Sequence, residues 1–566
     1  MLLISNETRI RKHVGLFDPG ALISAVVIAG LSCVGTALSD SAQPVVGSLG
    51  IAAYYVFQFF LTLAVTYFFA LSIFSYFDSN TKHSIETAAI SFRAKHLLKY
   101  SGVCFCAWMI WIIAHWPGTM RDDSIPQFFQ AMGYYPFYTQ HPIFDTIWFG
   151  FFWKIGAMLG DLKLGLFLYV IVQAMLTSLV FAFILCCLRV FGVPRALINS
   201  LLIFYAISRA IYQPIDTMSK DAFNGYLFAL VVILLVYYIK IESPSRRISV
   251  VYAISVFLCI ASKRSMMYVI IPSSLCFVFY LFKHSQVKNA INLLIISLLP
   301  TFFFLFIWNP ISIKMLNAES NATYEMFSIP EQQVTAAILK NPSVLSSVEY
   351  DELNEYMDSN AAISAYNPSR SDEVSGVVRT KPDKIALLKI WLKVLQRDPV
   401  TCLKSFFTMT GKWFSLSTPI DYGHDMEAEL LNPERMKAWS SFFSGNEQLT
   451  EELLGGLRTE KISNQWLFKL TEFLDATQKS LAPICSYGLF AFAVPVAVLI
   501  YGISRKQIEV ILLSIVPLLL LFSYLVGPIA LYWYSIPSVY IAPIVLCFPL
   551  LFRNRNTARL DDAFVE

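Results

Sequence analysis

Long apolar runs dominate the chain and are separated by short polar segments, with one long polar stretch near the C-terminal end. A transmembrane helix needs about 20 apolar residues to cross roughly 30 Å of hydrocarbon. Candidate runs lie near 20–38, 48–77, 98–116, 143–160, 163–188, 195–212, 222–240, 248–262, 266–283, 289–309, 482–503, 508–526 and 529–552. The polar stretch of about 311–481 mixes polar helices with loops. Its most amphipathic part is Ala386–Phe407, where Leu387, Leu388, Trp391, Leu392 and Leu395 recur at helical spacing. Lys389, Lys393 and Arg397 repeat every four residues opposite them, as a solvated face would, and Pro399 interrupts the helix past its middle. A second helical region spans Gln465–Leu481. With no repeat and no low-complexity tract, this stretch reads as a compact, mainly helical region packed on a membrane core.

Composition agrees. The chain is 56% hydrophobic and 14% charged, with a mean hydropathy of +0.58, whereas soluble domains carry about 25% charged residues. That excludes a soluble enzyme, a disordered scaffold, a collagen-like fibre and a nucleic-acid binder. Nine of the ten cysteines lie in or beside apolar runs, where Cys acts as a small hydrophobe. Only Cys402 falls in 311–481, so no disulfide forms within it. The run at Ala21–Leu38 follows Arg9, Arg11 and Lys12; it is long for a signal peptide and reads as a retained helix.

Charge then fixes a topology. Thirteen crossings would put the termini on opposite sides, yet both are basic: Arg9, Arg11 and Lys12 at one end, Arg553, Arg555 and Arg559 at the other. The positive-inside rule wants both in the cytoplasm. The weakest run is 143–160, which contains Asp145 and Lys154 and follows Pro142. Read as an amphipathic helix in the outer interface, it leaves twelve spans. Lys82, Arg93, Lys95, Arg189, Arg195, Lys240, Arg246, Arg247, Lys283, Lys288, Arg505 and Lys506 then fall inside.

The outer segments carry the candidate chemistry. The first reads Trp116-Pro117-Gly118-Thr119-Met120-Arg121-Asp122-Asp123-Ser124, with Gln127 and Gln140-His141-Pro142 beyond. Asp122 or Asp123 is a candidate general base, because partial burial and a like charge raise a carboxylate pKa toward the working range. Neighbours in an extended segment point opposite ways, so one of the two faces a site. His141 is placed to orient a hydroxyl or assist the base. The second segment, Gln213 to Asp221, runs into a span: Ser219 caps the helix and Asp221 sits in its first turn. Lys220 opposes both the helix dipole and the positive-inside bias, and a phosphate would relieve both. A third outer turn holds Lys263 and Arg264, which also ask for an anion. Tyr532-Trp533-Tyr534 reads as an interfacial aromatic belt whose rings also suit a sugar. Asn321-Ala322-Thr323 fits the N-glycosylation pattern. No Cys/His metal spacing and no phosphate-loop glycine motif occurs, so no cofactor is assigned. Two adjacent aspartates leave a divalent cation open.

Pro117-Gly118…Asp123-Ser124…Gln127…His141-Pro142, Ser219-Lys220-Asp221 and a basic pair in the next outer turn together resemble the GT-C superfamily of membrane glycosyltransferases. The sequence is most similar to a bacterial subgroup, the DUF6020-like proteins. The resemblance covers about 98–310. It implies a mostly α, polytopic bundle of GT-C type, in which an acidic residue of the first outer loop is the base and an interfacial helix follows it. By motif position Asp123 matches the base and Asp122 is the departure. Lys263-Arg264 also departs from the more common basic-plus-small pattern. The organisation expected is an N-terminal segment with two extra spans (1–97), a catalytic core (98–310), an extracytoplasmic region (311–481), and C-terminal spans with a basic tail (482–566).

The function expected is transfer of a sugar from a polyprenyl-phosphate donor to a glycan or lipid-linked acceptor, on the outer face of a bacterial cytoplasmic membrane. Lys220, Lys263 and Arg264 would hold the phosphate; Gln127, His141, Asp221 and Tyr534 would contact substrate. The alternatives are a transporter or flippase for an anionic lipid-linked sugar, and a glycan polymerase or ligase. Transporters place charges near the midplane in broken helices, whereas the ionisable residues here gather in outer loops.

Overall fold

A computed structural model describes residues 17–39, 48–82, 94–241, 244–319, 325–379, 382–420, 433–457, 465–481 and 484–552. The basic clusters at both termini, Arg93 and Asn321–Thr323 lie outside them. The described chain is mostly helical.

Helices α1 (Pro19–Ser39), α2 (Ser48–Lys82) and α3 (Ala94–Ala114) precede the first polar loop, which contains β1 (Thr119–Met120) and α4 (Ser124–Ala131). Then follow α5 (Ile143–Met158), α6 (Leu162–Val190), α7 (Arg195–Ile207), α8 (Arg209–Ile215), β2 (Thr217–Met218), α9 (Lys220–Lys240), α10 (Arg246–Ser262), α11 (Met267–Lys283) and α12 (Val287–Phe303). A π-turn after Pro300 carries α12 into α13 (Asn309–Met315). Among the described residues nine helices are long and apolar enough to cross a membrane, or ten if α7 and α8, bent by 47° at Ser208, form one span. The protein is therefore a multi-pass membrane protein.

Several expected runs change. The run at 195–212 is broken, because Ser208 adopts an extended conformation. The run at 248–262 becomes the 17-residue α10 and falls outside the nine. The run at 289–309 continues to Met315, so the polar stretch starts later than 311. Helix α5, with 16 residues, is also outside the nine. It folds back against α6 where Gly156 meets Gly165; a Cβ on Gly156 would lie 2.9 Å from the Gly165 nitrogen. Small residues permit that approach of two helices.

The polar stretch holds α14 (Ser328–Lys340), α15 (Ser347–Asn354), α16 (Ser359–Ala365), α17 (Asp372–Ser375), α18 (Lys384–Arg397), α19 (Pro399–Thr410), α20 (Pro433–Ser440), α21 (Glu447–Gly455) and α22 (Gln465–Ser480). Pro399 does divide the amphipathic segment into two helices, and Asp398 caps the second. The buried stripe of α18 differs from the expected one: Leu387, Ile390 and Val394 are buried, while Leu388 and Leu392 are exposed. Nor is its charged side merely solvated. Lys393 and Arg397 reach Glu349 of α15 at 3.0 and 2.7 Å. Residues 334–402 close their own core around Val334, Leu353, Tyr356 and Val394. Trp413, Ile420 and Leu454 instead join the core shared by the apolar helices. After a π-turn, α23 (Val494–Ser504), α24 (Ile508–Leu525) and α25 (Ile536–Leu551) complete the bundle.

Polar contacts sort the helix ends into two layers. In one, Arg505 joins Asp18 at 2.5 Å and Asp78 at 2.7 Å, and the Tyr280 hydroxyl donates to Glu509 at 2.8 Å. In the other, Thr36 meets Ser415 at 2.8 Å, and β1 pairs with β2 in parallel, Thr119 opposite Thr217.

Candidate functional site

The β1–β2 pairing builds the site, because it brings two loops nearly a hundred residues apart into register. The Thr119 amide donates to Asp216 O at 2.8 Å, the Thr119 and Thr217 hydroxyls are 2.7 Å apart, and Ser124 Oγ donates to Met218 O at 2.5 Å. Gly118 permits the approach: its φ is +113°, and a Cβ there would lie 2.5 Å from Val170 and 2.9 Å from Asp216 O. Beneath the pair, Gln173 of α6 is buried and donates to Ile215 O and Thr217 O, both at 2.9 Å, while accepting from the Tyr169 hydroxyl at 2.6 Å. A fully hydrogen-bonded amide within a span orders the backbone it holds.

This staple sets Asp123 against Lys220. Asp123 Oδ2 lies 2.5 Å from Lys220 Nζ, and Lys263 Nζ lies 2.5 Å from Asp221 Oδ1. Burial would push the Asp123 carboxyl up, but the ammonium of Lys220, aided by His141 and Lys263, outweighs it and holds the group well below the usual carboxylate range. Lys263 also sits over the Tyr534 ring, 4.7 Å from its centroid, and Arg121 over Trp533 at the same distance. Together these groups line a cavity of about 500 Å³ whose walls include Arg121, Asp122, Asp123, His141, Lys220 and Tyr534. That volume is within the range of about 300–1,000 Å³ usual for small-molecule sites.

The expected residues divide. Asp123, Asp122, His141, Lys220, Asp221 and Tyr534 line the cavity, and Lys263 adjoins it through Asp221 and Tyr534. Asp122 and Asp123 do not alternate as an extended pair would, since the segment turns into α4; both line the cavity, with Asp122 3.9 Å from Arg435. Lys220 and Lys263 do not lack counter-charges, because Asp123 and Asp221 supply them. Arg264 turns away and donates to Asn309 at 3.0 Å. Gln127 is fully buried and donates to Thr146 at 3.0 Å, outside the cavity lining. Ser219 caps α9 as expected, accepting from the Ala222 amide at 3.1 Å. Trp533 and Tyr534 face the cavity rather than forming only a belt, and the Tyr532 hydroxyl donates to Ala210 O at 2.8 Å.

Burial of His141 lowers its pKa to about 4 against the pull of Asp123, so the ring is neutral at neutral pH. Asp145 of α5 is buried, accepts from Ser262 Oγ at 3.1 Å, and burial raises its carboxyl well above the usual range. Among the described residues no group of three or more His, Cys, Asp or Glu side chains is placed to hold a metal ion.

Sequence reasoning missed Gln173, Asp145, Arg121 and Arg370. A polar residue inside an apolar run is a readable signal for the first; nothing local marks Arg370, whose place depends on long-range folding.

The bundle and cavity define a multi-pass helical membrane protein with a polar, doubly ion-paired site at one end of its helices. A family model described as a family of unknown function, DUF6020, matches residues 135–548. That is most of the chain, and the protein belongs to this family. No curated protein and no solved structure matches it.

Proposed function

We propose that the protein is a GT-C-type glycosyltransferase that moves a sugar from a polyprenyl-phosphate donor to an acceptor hydroxyl at the outer face of a bacterial cytoplasmic membrane. The observation that carries this reading is the Asp123–Lys220 pair, which lines a cavity large enough for a small ligand at one end of the helices. Twelve crossings follow if the bent α7–α8 pair, α10 and the α23 region each cross and α5 lies in the outer interface. Both termini are then cytoplasmic.

The donor's lipid tail lies among apolar helices and its phosphate reaches Lys220 and Lys263, displacing Asp123 as the counter-ion of Lys220. Asp123, released, accepts the proton of the acceptor hydroxyl. The acceptor oxygen bonds to the anomeric carbon as the bond from that carbon to the phosphate oxygen breaks. The bonding pair leaves on the phosphate, which gains one negative charge that the two ammonium groups stabilise. A single displacement inverts the anomeric centre.

The test is turnover of a polyprenyl-phosphate-linked sugar by the purified protein in nanodiscs. Asp123→Asn should lower turnover by about a hundredfold or more, as loss of a general base does, and Asp122→Asn by much less. Activity retained in both variants overturns the assignment. One observation favours the rival reading of a flippase: α7 and α8 are a broken span with a buried arginine, Arg209, at its start, as in transporter helices. Movement of a lipid-linked sugar across vesicles without chemical transfer would establish that reading instead.

A further inference from the structure

The cavity has a second side. Asp123, His141, Lys220 and Asp221 form one wall, next to the apolar helices. The second wall comes from far along the chain: Arg370, Asp372, Ser375 and Gly376, with the segment from Pro528 to Tyr534, whose Trp533 and Tyr534 meet Arg121 and Lys263 of the first. A backbone clasp joins its two segments: Arg370 bridges Ile529, with the Ser371 amide donating to Pro528 O at 2.9 Å. Arg370 is half-exposed and reaches Asp372 at 2.7 Å and Glu373 at 3.2 Å. On the first wall His141 is 5% exposed, and its Nδ1 has no hydrogen-bond partner among the described residues. His141 lines the cavity, and a buried ring nitrogen without a partner is satisfied by a ligand hydroxyl or an ordered water.

We propose that this second wall makes the cavity an uncharged-carbohydrate site: the acceptor is a glycan whose ring lies against Trp533, whose hydroxyls engage Arg370, Asp372 and Ser375, and whose reacting hydroxyl meets His141 beside Asp123. The assignment rests on the transfer reading for the acceptor role and its reacting hydroxyl. The chemistry favours a sugar on three grounds. A sugar ring has an apolar C–H face that packs on an aromatic ring and hydroxyls that donate and accept. An apolar acceptor would desolvate Arg370 and Asp372 without replacing their partners. A polyanionic acceptor would meet four aspartates, Asp122, Asp123, Asp221 and Asp372, and would have to displace them from Arg435, Lys220, Lys263 and Arg370.

Binding is read by saturation-transfer NMR on the whole protein in nanodiscs, with chitotriose, maltotriose and rhamnotriose as probes. At least one trisaccharide should bind the wild type. Trp533→Ala and Arg370→Gln should each weaken it about tenfold, the scale of one lost stacking or charged contact, and Trp533→Phe should recover part of the loss. Lys389→Met, on an exposed face of α18 outside the cavity lining, should leave it within about twofold, well under the tenfold step of a lost contact. No binding by any of the three sugars, or binding unaffected by both second-wall variants, overturns the proposal. Sugar binding that depends on this wall, in a protein that neither binds polyprenyl phosphate nor turns over, overturns the transfer reading and leaves the carbohydrate site standing. Turnover with no effect of the second-wall variants does the reverse.

Discussion

Asp123 and Lys220 hold each other at 2.5 Å, so any third group that wants one of them must compete with the other. A phosphate arriving at Lys220 competes with Asp123 directly, and the same event frees the carboxylate to accept a proton. Base and anion site are thereby coupled, which gives a counterintuitive consequence. Asp123→Asn removes the competitor while leaving the ammonium in place. Binding of a short-chain polyprenyl phosphate should therefore tighten, by up to roughly fivefold, since a partly exposed ion pair is worth up to about 1 kcal/mol. Lys220→Met should weaken it. Thermophoresis of the detergent-solubilised protein measures both, and weaker binding in Asp123→Asn would show that the aspartate does not compete with phosphate. At this scale the sequence was informative for a physical reason: few ionisable residues lie near the apolar runs, so Lys220, Asp123 and Lys263 stood out. What it hid was pairing. Lys220 and Lys263 read as cations without partners because Asp123 is far from Lys220 in sequence and Asp221 far from Lys263. Only the β1–β2 register joins the first pair, and only the meeting of α9 with the α10–α11 turn joins the second.

Elements were legible where the signal was local. The Ser219 cap, the break at Pro399 and the helix near 465–481 all follow from one or two residues and their spacing. The broken α7–α8 pair was not, because its cause is distant. Arg209 is buried at the start of α8 and its guanidinium reaches Asp475 of α22 at 2.7 Å; Tyr212 and Gln213 donate to the same carboxylate oxygen, each at 2.9 Å. Gln478, one turn on, accepts from the Arg209 amide at 2.7 Å and donates to Ile207 O at 3.0 Å. Helix α22 thus satisfies the backbone and side-chain groups exposed at the break, and α8 leads directly into β2 and Lys220. Removing one partner of a buried pair leaves an uncompensated charge, which costs about 3–5 kcal/mol. Asp475→Ala should therefore lower the unfolding midpoint by several degrees in a scan followed by intrinsic fluorescence. Adding Arg209→Met should restore part of the loss, because the stranded charge goes with it. Additive losses in the double variant would show that the two side chains do not act as a pair.

At the scale of the whole molecule, the two polar layers at the helix ends decide how the chain is threaded. Asp18, Asp78 and Arg505 meet at one layer, and Tyr280 meets Glu509 there as well. Thr36, Ser415, the β1–β2 pair and the cavity lie at the other. If each of the nine apolar helices, the α7–α8 pair, α10 and the α23 region crosses once, every connection near Lys240, His284 and Arg505 falls at the first layer. The first layer is then the basic one, as the positive-inside rule requires of the cytoplasm. Counting spans from hydropathy could not establish this, because α5, α10 and the α23 region are all short and their fate depends on packing. The consequence is a parity test. Alkaline phosphatase fused after Gln286 or after Lys506 should be inactive, and fused after Asn317 it should be active, with green fluorescent protein giving the mirror result. An odd number of crossings between 286 and 506 would place those two turns on opposite sides. The cavity wall that carries Arg370 would then be supplied by a region whose flanking spans disagree about its side, and twelve crossings would be lost together with the outer-face site.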